Sequence, residues 1–447
     1  MHMKKTSLDL TQGSITKQII LFALPILLSQ VFQNLYNSVD SLIVGNFLGT
    51  TALAAVTSCA DISQLLVGFF TGLSAGAGVL FARYFGMKNY ERLHDAISTS
   101  LIFSFIIGIT MMAVGICIAD VLLNIVACPA DVYDEAIIYL RVYLVGLLFT
   151  SLYNVASGVL RSVGDSRNPF IYLVISSILN IILDIIFVVV FKMQVLGVAL
   201  ATIISQLLSV ILVYYQLTHA HDVYRIDLRH LKFDSTMLKE VISLGLPAAL
   251  QSCLISISNL FVQRYVNLFG SSVMAGVGAA KKIDKFVGLI ANSLGMSTAT
   301  FVSQNIGAKR IDRAKKGIRI TFVLAFIPVA IIGSLIYIYA NRAISLFIDD
   351  KDAIYYGAMM IHTMMPLYYS QSINQIMLNT LRGYGKSFVA MILSLIGMIG
   401  IRQLFLAISF SIERNVNHVF LGYPIGWIFS ALFVSLYYFI VIRPKYK

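Results

Sequence analysis

Two aspartates, Asp40 and Asp184, stand in stretches too apolar to be solvated. Asp40 belongs to the run 24–56, LPILLSQVFQNLYNSVDSLIVGNFLGTTALAAV, with Gln33, Asn34, Tyr36, Asn37 and Ser38 around it, and Asp184 belongs to the run 169–191. A carboxylate placed centrally in a membrane helix costs roughly 2.5–3.5 kcal/mol on insertion scales, so such a group marks an ion or substrate path before it marks packing. At the helical rise, Asp40 falls roughly 9 Å from the outer end of the span it belongs to, 16–46, Asp184 about 10 Å from the outer end of 169–191, and Thr202 about 12 Å inside a third, 194–217. Asn180 lies one turn before Asp184 on the same helix face. Four oxygen-bearing side chains from three helices therefore share one depth. A hard cation such as Na⁺ takes several such oxygens, and a proton takes one carboxylate placed beside another, so Asp40, Asn180, Asp184 and Thr202 suit either ion. The plainer alternative is that each acid separately satisfies a helix end or a lysine. Asp61, at a similar depth in the more polar SCADISQ, is left open.

The elements that must position these groups are membrane helices. Of the 447 residues 58% are hydrophobic and only 12% charged, about half the charge a soluble surface of this size needs. Continuous apolar runs of about 20 residues recur along the chain, which fits helices and not the alternating strands of a barrel. We expect an all-α polytopic membrane protein with twelve spans, at 16–46, 51–82, 95–119, 132–160, 169–191, 194–217, 237–267, 272–303, 316–341, 353–381, 387–410 and 420–442. The run after Lys17 is too long for a signal peptide and counts as span 1. Cys59, Cys117, Cys128 and Cys253 lack metal-ligand spacing and read as small hydrophobes.

Loop charge predicts orientation. Most Lys and Arg residues fall in the N-terminus, the loops after even-numbered spans and the C-terminus; the other loops carry only Lys192, Arg342, Lys351 and Arg414. The excess places both termini in the cytoplasm. It also accounts for the net charge of +12 without invoking nucleic acid.

The chain repeats itself. A shift of 221 residues lays Gly49 on Gly270, Gly86 on Gly307, Arg161 on Arg382 and Gly164 on Gly385, with Pro25 close to Pro247. Six spans per repeat, an even number, give two lobes in the same sense, related by a pseudo-two-fold along the membrane normal. We expect an N-lobe at 1–217, a cytoplasmic linker at 218–236 and a C-lobe at 237–447. His219, His221 and His230 in the linker lack a further properly spaced ligand and read as loop residues.

The acid site is not duplicated. Asp40 matches Phe261 or Val262, Asp184 matches Phe405 and Asn180 matches Ile401. The second half instead carries Lys281, Lys282, Asp284 and Lys285 in span 8, His362 in span 10 and Arg402 in span 11, while Arg264 can snorkel. Two readings compete: an ion-pair cluster between helices, or a basic wall that attracts an anionic group or repels cations. Tyr36, Met359, Met360, Met364, Met365, Tyr368 and Tyr369 are expected to border a cavity, where adaptable side chains suit apolar ligands. There is no P-loop, HExxH or CxxC. The glycine-rich TGLSAGAG (71–78) lies inside a span, where small residues permit close helix packing. The reading is a secondary transporter and not an enzyme.

VDSLIVGNFLGTTALAAV after LPILLSQ, LRSVGDSRNP at the end of span 4, GVALATIISQ opening span 6 and QNIGAKR after span 8, in that order, resemble the multidrug and toxic compound extrusion (MATE) family over essentially the whole chain. The resemblance implies efflux of organic, commonly cationic or amphipathic, drugs across the cell membrane in exchange for H⁺ or Na⁺, by a monomer without cofactor. It implies that Asp40, Asn180, Asp184 and Thr202 form the cation-coupling site. They would be metal ligands if the ion is Na⁺. Gln33, Tyr36, Asn37 and Asn154 would line the substrate pocket, with Lys281, Lys285 and Arg402 as candidates from the second half, and Pro25 would be the point about which span 1 bends. Many members carry a glutamate in span 7 and an aspartate in span 10. Here those regions read QSCLISIS and QSINQIMLN, which argues against a C-lobe cation site. The runner-up is a lipid-linked oligosaccharide flippase of the same wider superfamily, whose phosphates the basic residues could meet.

Overall fold

The computed structural model of the chain describes residues 8–126, 128–220 and 222–446, and among them every regular element is helical. His221 lies outside the described residues. Ten helices are long and apolar enough to cross a membrane, and an eleventh span is the bent pair Tyr133–Val145 and Leu147–Ser162. The twelfth, span 10, runs as Lys351–Met364 and Tyr368–Gly383 around the short turn Met365–Leu367. Pro366 has no N–H to continue the ladder, and Gln371, Ser372, Asn374, Gln375 and Asn379 make the second segment polar. The architecture is the expected all-α, twelve-span one.

Span 1 is one helix, Ile15–Phe47, with Pro25 inside it, and span 7 is its counterpart, Ser235–Asn267, with Pro247 inside it. The chain forms two compact units, and the division cuts both of these helices just after their prolines. One unit holds Leu28–Ala249 with the segment ending at Asp9; the other holds Leu10–Leu27 and Leu250–Lys447. These limits differ from boundaries at 217 and 237: the linker and the first half of span 7 pack with the first unit. A helix of 33 residues is long enough for its two halves to find different neighbours.

The repeat is written into the backbone. Gly49 and Gly270 precede spans 2 and 8 at φ 89° and 90°, a left-handed conformation that glycine adopts without a Cβ penalty. Lys88 and Lys309 close the same two spans at φ 57° and 58°. Short helices that the sequence did not announce, Ala119–Ile125 and Ala340–Ser345, follow spans 3 and 9.

Within the first unit the glycines of TGLSAGAG admit a neighbouring helix. A Cβ on Gly76 would lie 2.3 Å from the Leu244 carbonyl oxygen, and one on Gly72 2.6 Å from that of Ala248. In the second unit Met360, Met364, Met365 and Tyr368 are buried in the core with Trp427 and Tyr423, so these four fill the helix bundle instead of bordering a cavity.

Among the described residues three spans are widened by a π turn, one of them span 12 over Tyr438–Ile442. Span 5, Arg167–Ile185, continues as a π turn over Ile186–Val190, and span 11 begins as Ser387–Leu395, passes through a π turn at Ile396–Ile401 and resumes at Arg402–Ile412. Asp184 stands two residues before the first π turn, and Arg402 immediately follows the second. Such turns are rare and gather at functional sites.

Candidate functional site

The structure brings Asp40 and Asp184 together. Their carboxyl groups lie within hydrogen-bonding reach of each other. Asp184 is fully buried, 0% exposed, and Asp40 is half-buried. Both Asp184 oxygens and Asp40 Oδ1 are buried without a hydrogen-bond donor, as are Asn180 Oδ1 and Nδ2 one turn away. Ionised carboxylates are acceptors only, so two of them face to face are satisfied together by a shared proton or by a cation between them. No lysine or arginine is within ion-pair distance of either acid among the described residues.

Tyrosines close the site. Tyr36, one turn before Asp40 on span 1, interacts electrostatically with both acids. From span 4, Tyr139 interacts with Asp40 and stacks on Tyr143 at 6.0 Å. Tyr139 and Tyr143 were not singled out in the sequence; the available signal was their one-turn spacing on one face of span 4.

The other predicted residues divide. Thr202 on span 6, half-buried, donates from Oγ1 to the Val198 carbonyl at 3.0 Å, and no hydrogen bond joins it to the acids. Its oxygen keeps lone pairs for an ion. Asn154 is spent on packing, donating to the Thr150 carbonyl at 2.9 Å and accepting from Thr71 Oγ1 at 3.4 Å. Gln33, Asn37 and Asp61 are exposed.

The second unit carries the basic cluster. Arg402 is buried and donates to Asn259 Oδ1 at 3.0 Å and Ser258 Oγ at 2.6 Å. Lys281 donates to Gln263 Oε1 at 2.7 Å, and Lys285 is exposed. Ser258, Asn259 and Gln263 were not singled out in the sequence, although they are polar residues on an apolar span. Arg264 is exposed, and His362 turns to the Tyr337 carbonyl at 3.0 Å. The linker histidines that are described are local: His219 stacks on Tyr215 at 4.3 Å and His230 pairs with Asp227 at 2.7 Å. Among the described residues no three His, Cys, Asp or Glu side chains gather as a metal site.

Fold and site together define a polytopic membrane protein built from two helical repeats with a buried acid pair in the first. The MatE family model matches both repeats, residues 25–186 and 247–408. The chain belongs to the MatE family of membrane transporters. It is 29% identical over 443 residues, covering 97% of this chain and 96% of its relative, to the "Probable multidrug resistance protein YoeA" of Bacillus subtilis (strain 168). It is 21% identical to the "Multidrug export protein MepA" of Staphylococcus haemolyticus (strain JCSC1435), covering 79% of this chain and 78% of that one. In fold it resembles a MOP superfamily transporter of Pyrococcus furiosus described as having a binding pocket of reversed polarity, with TM-score 0.92, 24% identity and 98% of each chain covered. It also resembles an outward-facing MATE transporter, with TM-score 0.90, 23% identity and 98% of each chain covered.

Proposed function

We propose that the protein is a secondary multidrug efflux antiporter of the cell membrane. It exports organic cationic or amphipathic compounds in exchange for H⁺ or Na⁺ bound at Asp40 and Asp184, with Asn180 and Thr202 as further oxygen ligands. The observation that carries this reading is the meeting of two carboxylates whose buried oxygens have no donor. The names of its relatives, a multidrug resistance protein and a multidrug export protein, support the same activity.

Entry of the cation removes the repulsion between the acids, span 1 rearranges near Pro25, and the substrate is released outward. Coupling requires that ion and substrate prefer different conformations, because a ligand of equal affinity for both shifts nothing. The protein acts as a monomer in the bilayer, without a cofactor or nucleic acid, and its termini lie in the cytoplasm, on the side of the loops rich in Lys and Arg. A second reading, the lipid-linked oligosaccharide flippase, draws on the basic cluster around Arg402.

The deciding experiment is ethidium export from proteoliposomes with Na⁺ and pH gradients imposed separately, for the parent and Asp40→Asn. Export driven by one gradient and lost in the variant is expected. Full export by Asp40→Asn, or export that persists with both gradients collapsed, rejects the antiport reading. Flipping of a phosphorylated lipid with no ethidium export selects the flippase.

A further inference from the structure

Arg402 is 2% exposed, and its guanidinium donates only to neutral groups, Asn259 and Ser258. Its Nε is buried with no partner. Among the described residues no carboxylate lies within ion-pair distance of it. A charge withdrawn from water is compensated by an opposite charge, and here the opposite charge is missing.

A second cation addresses the same place. Lys281 Nζ lies 6.0 Å and Arg402 Cζ 5.7 Å from the centre of the Tyr423 ring. Lys281 stands ten residues after the start of span 8 at Ser271, and Arg402 ten residues before the end of span 11 at Ile412. Both ends belong to loops that follow odd-numbered spans, so both groups sit about 15 Å from the same face. Lys285 follows Lys281 by one turn on the same side of span 8. Against these three cations stands Asp284, which interacts with Lys281 and keeps one buried carboxylate oxygen without a partner. The cluster is positive on balance, and the π turn directly before Arg402 is an independent mark of a site.

The geometry points to an anion-receiving site in the second compact unit. Arg402 and Lys281 take the carboxylate or phosphate of an organic anion whose apolar body lies against Tyr423. The unpartnered Nε–H of Arg402 donates side-on to one oxygen of the anion, as guanidinium groups do for both anions. Lys281, already oriented by Gln263, adds a point charge from the other helix. This goes beyond the cationic or amphipathic compounds of the export reading by adding an anionic class, and depends on that reading only for the direction of movement.

The test is equilibrium binding to the purified, detergent-solubilised full chain by fluorescence polarisation, with two dyes of one xanthene scaffold and opposite charge, carboxyfluorescein and rhodamine 6G. The parent binds carboxyfluorescein. Arg402→Gln and Lys281→Gln each weaken it roughly tenfold or more, the loss expected for a hydrogen bond to a charged group. Arg402→Lys restores part of the affinity, and rhodamine 6G is not weakened by either glutamine variant. Failure of the parent to bind carboxyfluorescein overturns the proposal, as does unchanged affinity in Lys281→Gln or equal weakening of both dyes. Where Arg402→Gln elutes as aggregate, Lys281→Gln decides alone. Displacement of the dye by phosphatidylglycerol in mixed micelles, but not by soluble benzoate, assigns the anion to a lipid headgroup, and the reverse assigns it to a soluble organic acid. Binding in detergent needs no gradient, so loss of gradient-driven export leaves this result standing, and its failure leaves coupling at Asp40 untouched.

Discussion

The carboxyl groups of Asp40, on span 1, and Asp184, on span 5, lie within hydrogen-bonding reach of each other, and neither has a cation beside it. On the antiport reading proposed above, a bound proton or Na⁺ relieves the repulsion between two such groups. Asp184→Asn keeps the shape of the side chain and removes its titratable carboxyl. We expect its thermal unfolding temperature in detergent to be unchanged or higher, while gradient-driven ethidium export falls at least roughly tenfold, because the remaining acid has lost its partner in ligation. A variant that exports normally would show the pair to be structural.

Close approach of two helices in the first unit makes a stability prediction. Gly76 meets the Leu244 carbonyl oxygen 2.3 Å from where a Cβ would stand, whereas the nearest atom at Gly78 is 3.7 Å away. Gly76→Ala should destabilise by about 1–3 kcal/mol through overpacking. Gly78→Ala should be neutral or slightly stabilising, since alanine is the better helix former. Differential scanning fluorimetry of the two variants checks the order.

Arg313 clasps the start of the second unit. Its guanidinium donates to the carbonyls of Leu10, Gln12 and Gly13 at 3.1, 2.7 and 2.8 Å and to Gln18 Oε1 at 2.7 Å. Removing these partly exposed, charge-assisted bonds in Arg313→Ala should ease local opening by roughly 1–3 kcal/mol. Hydrogen exchange of residues 10–13 should then accelerate about tenfold or more, and Arg313→Lys should not restore protection, because an ammonium cannot reproduce the fork. Exchange as slow as in the parent would mean that buried Gln304 and Asn305, which also hold Leu10, suffice.

Asp234 caps span 7 at its loop end. Its Oδ1 accepts from the backbone N–H groups of Thr236 at 2.7 Å and Met237 at 3.2 Å, and these bonds hold its carboxyl below the usual range. A depressed value in the folded state means that the contribution is present at neutral pH and fades as pH falls through that lowered value. Asp234→Ala should therefore unfold at a lower temperature than the parent at pH 7, and the gap should narrow under acid. A gap independent of pH would show that charge is not what the cap supplies.

Much of this molecule is legible in one dimension. Lipid allows few ways to satisfy a backbone, so long apolar runs could only be helices, and the match of Gly49 with Gly270 foretold the same left-handed turn in both repeats. Asp40 and Asp184 stood out by the cost of a carboxylate in an apolar run, and Asn180 by standing one turn from Asp184. The division of spans 1 and 7 just after Pro25 and Pro247 was not visible, because periodicity describes a helix and not its neighbours.

The sequence by itself determined the spans, the repeat and the oxygen-bearing side chains at one depth, since hydropathy, spacing and rise per residue are local quantities. Only the tertiary structure decided which of them meet: that Asp40 comes within reach of Asp184, that Asn154 is held by Thr150 and Thr71, and that Arg402 rests on Ser258 and Asn259 without an acid. Depth along a helix follows from residue number, but rotation about its axis and the choice of partner come from packing against other helices.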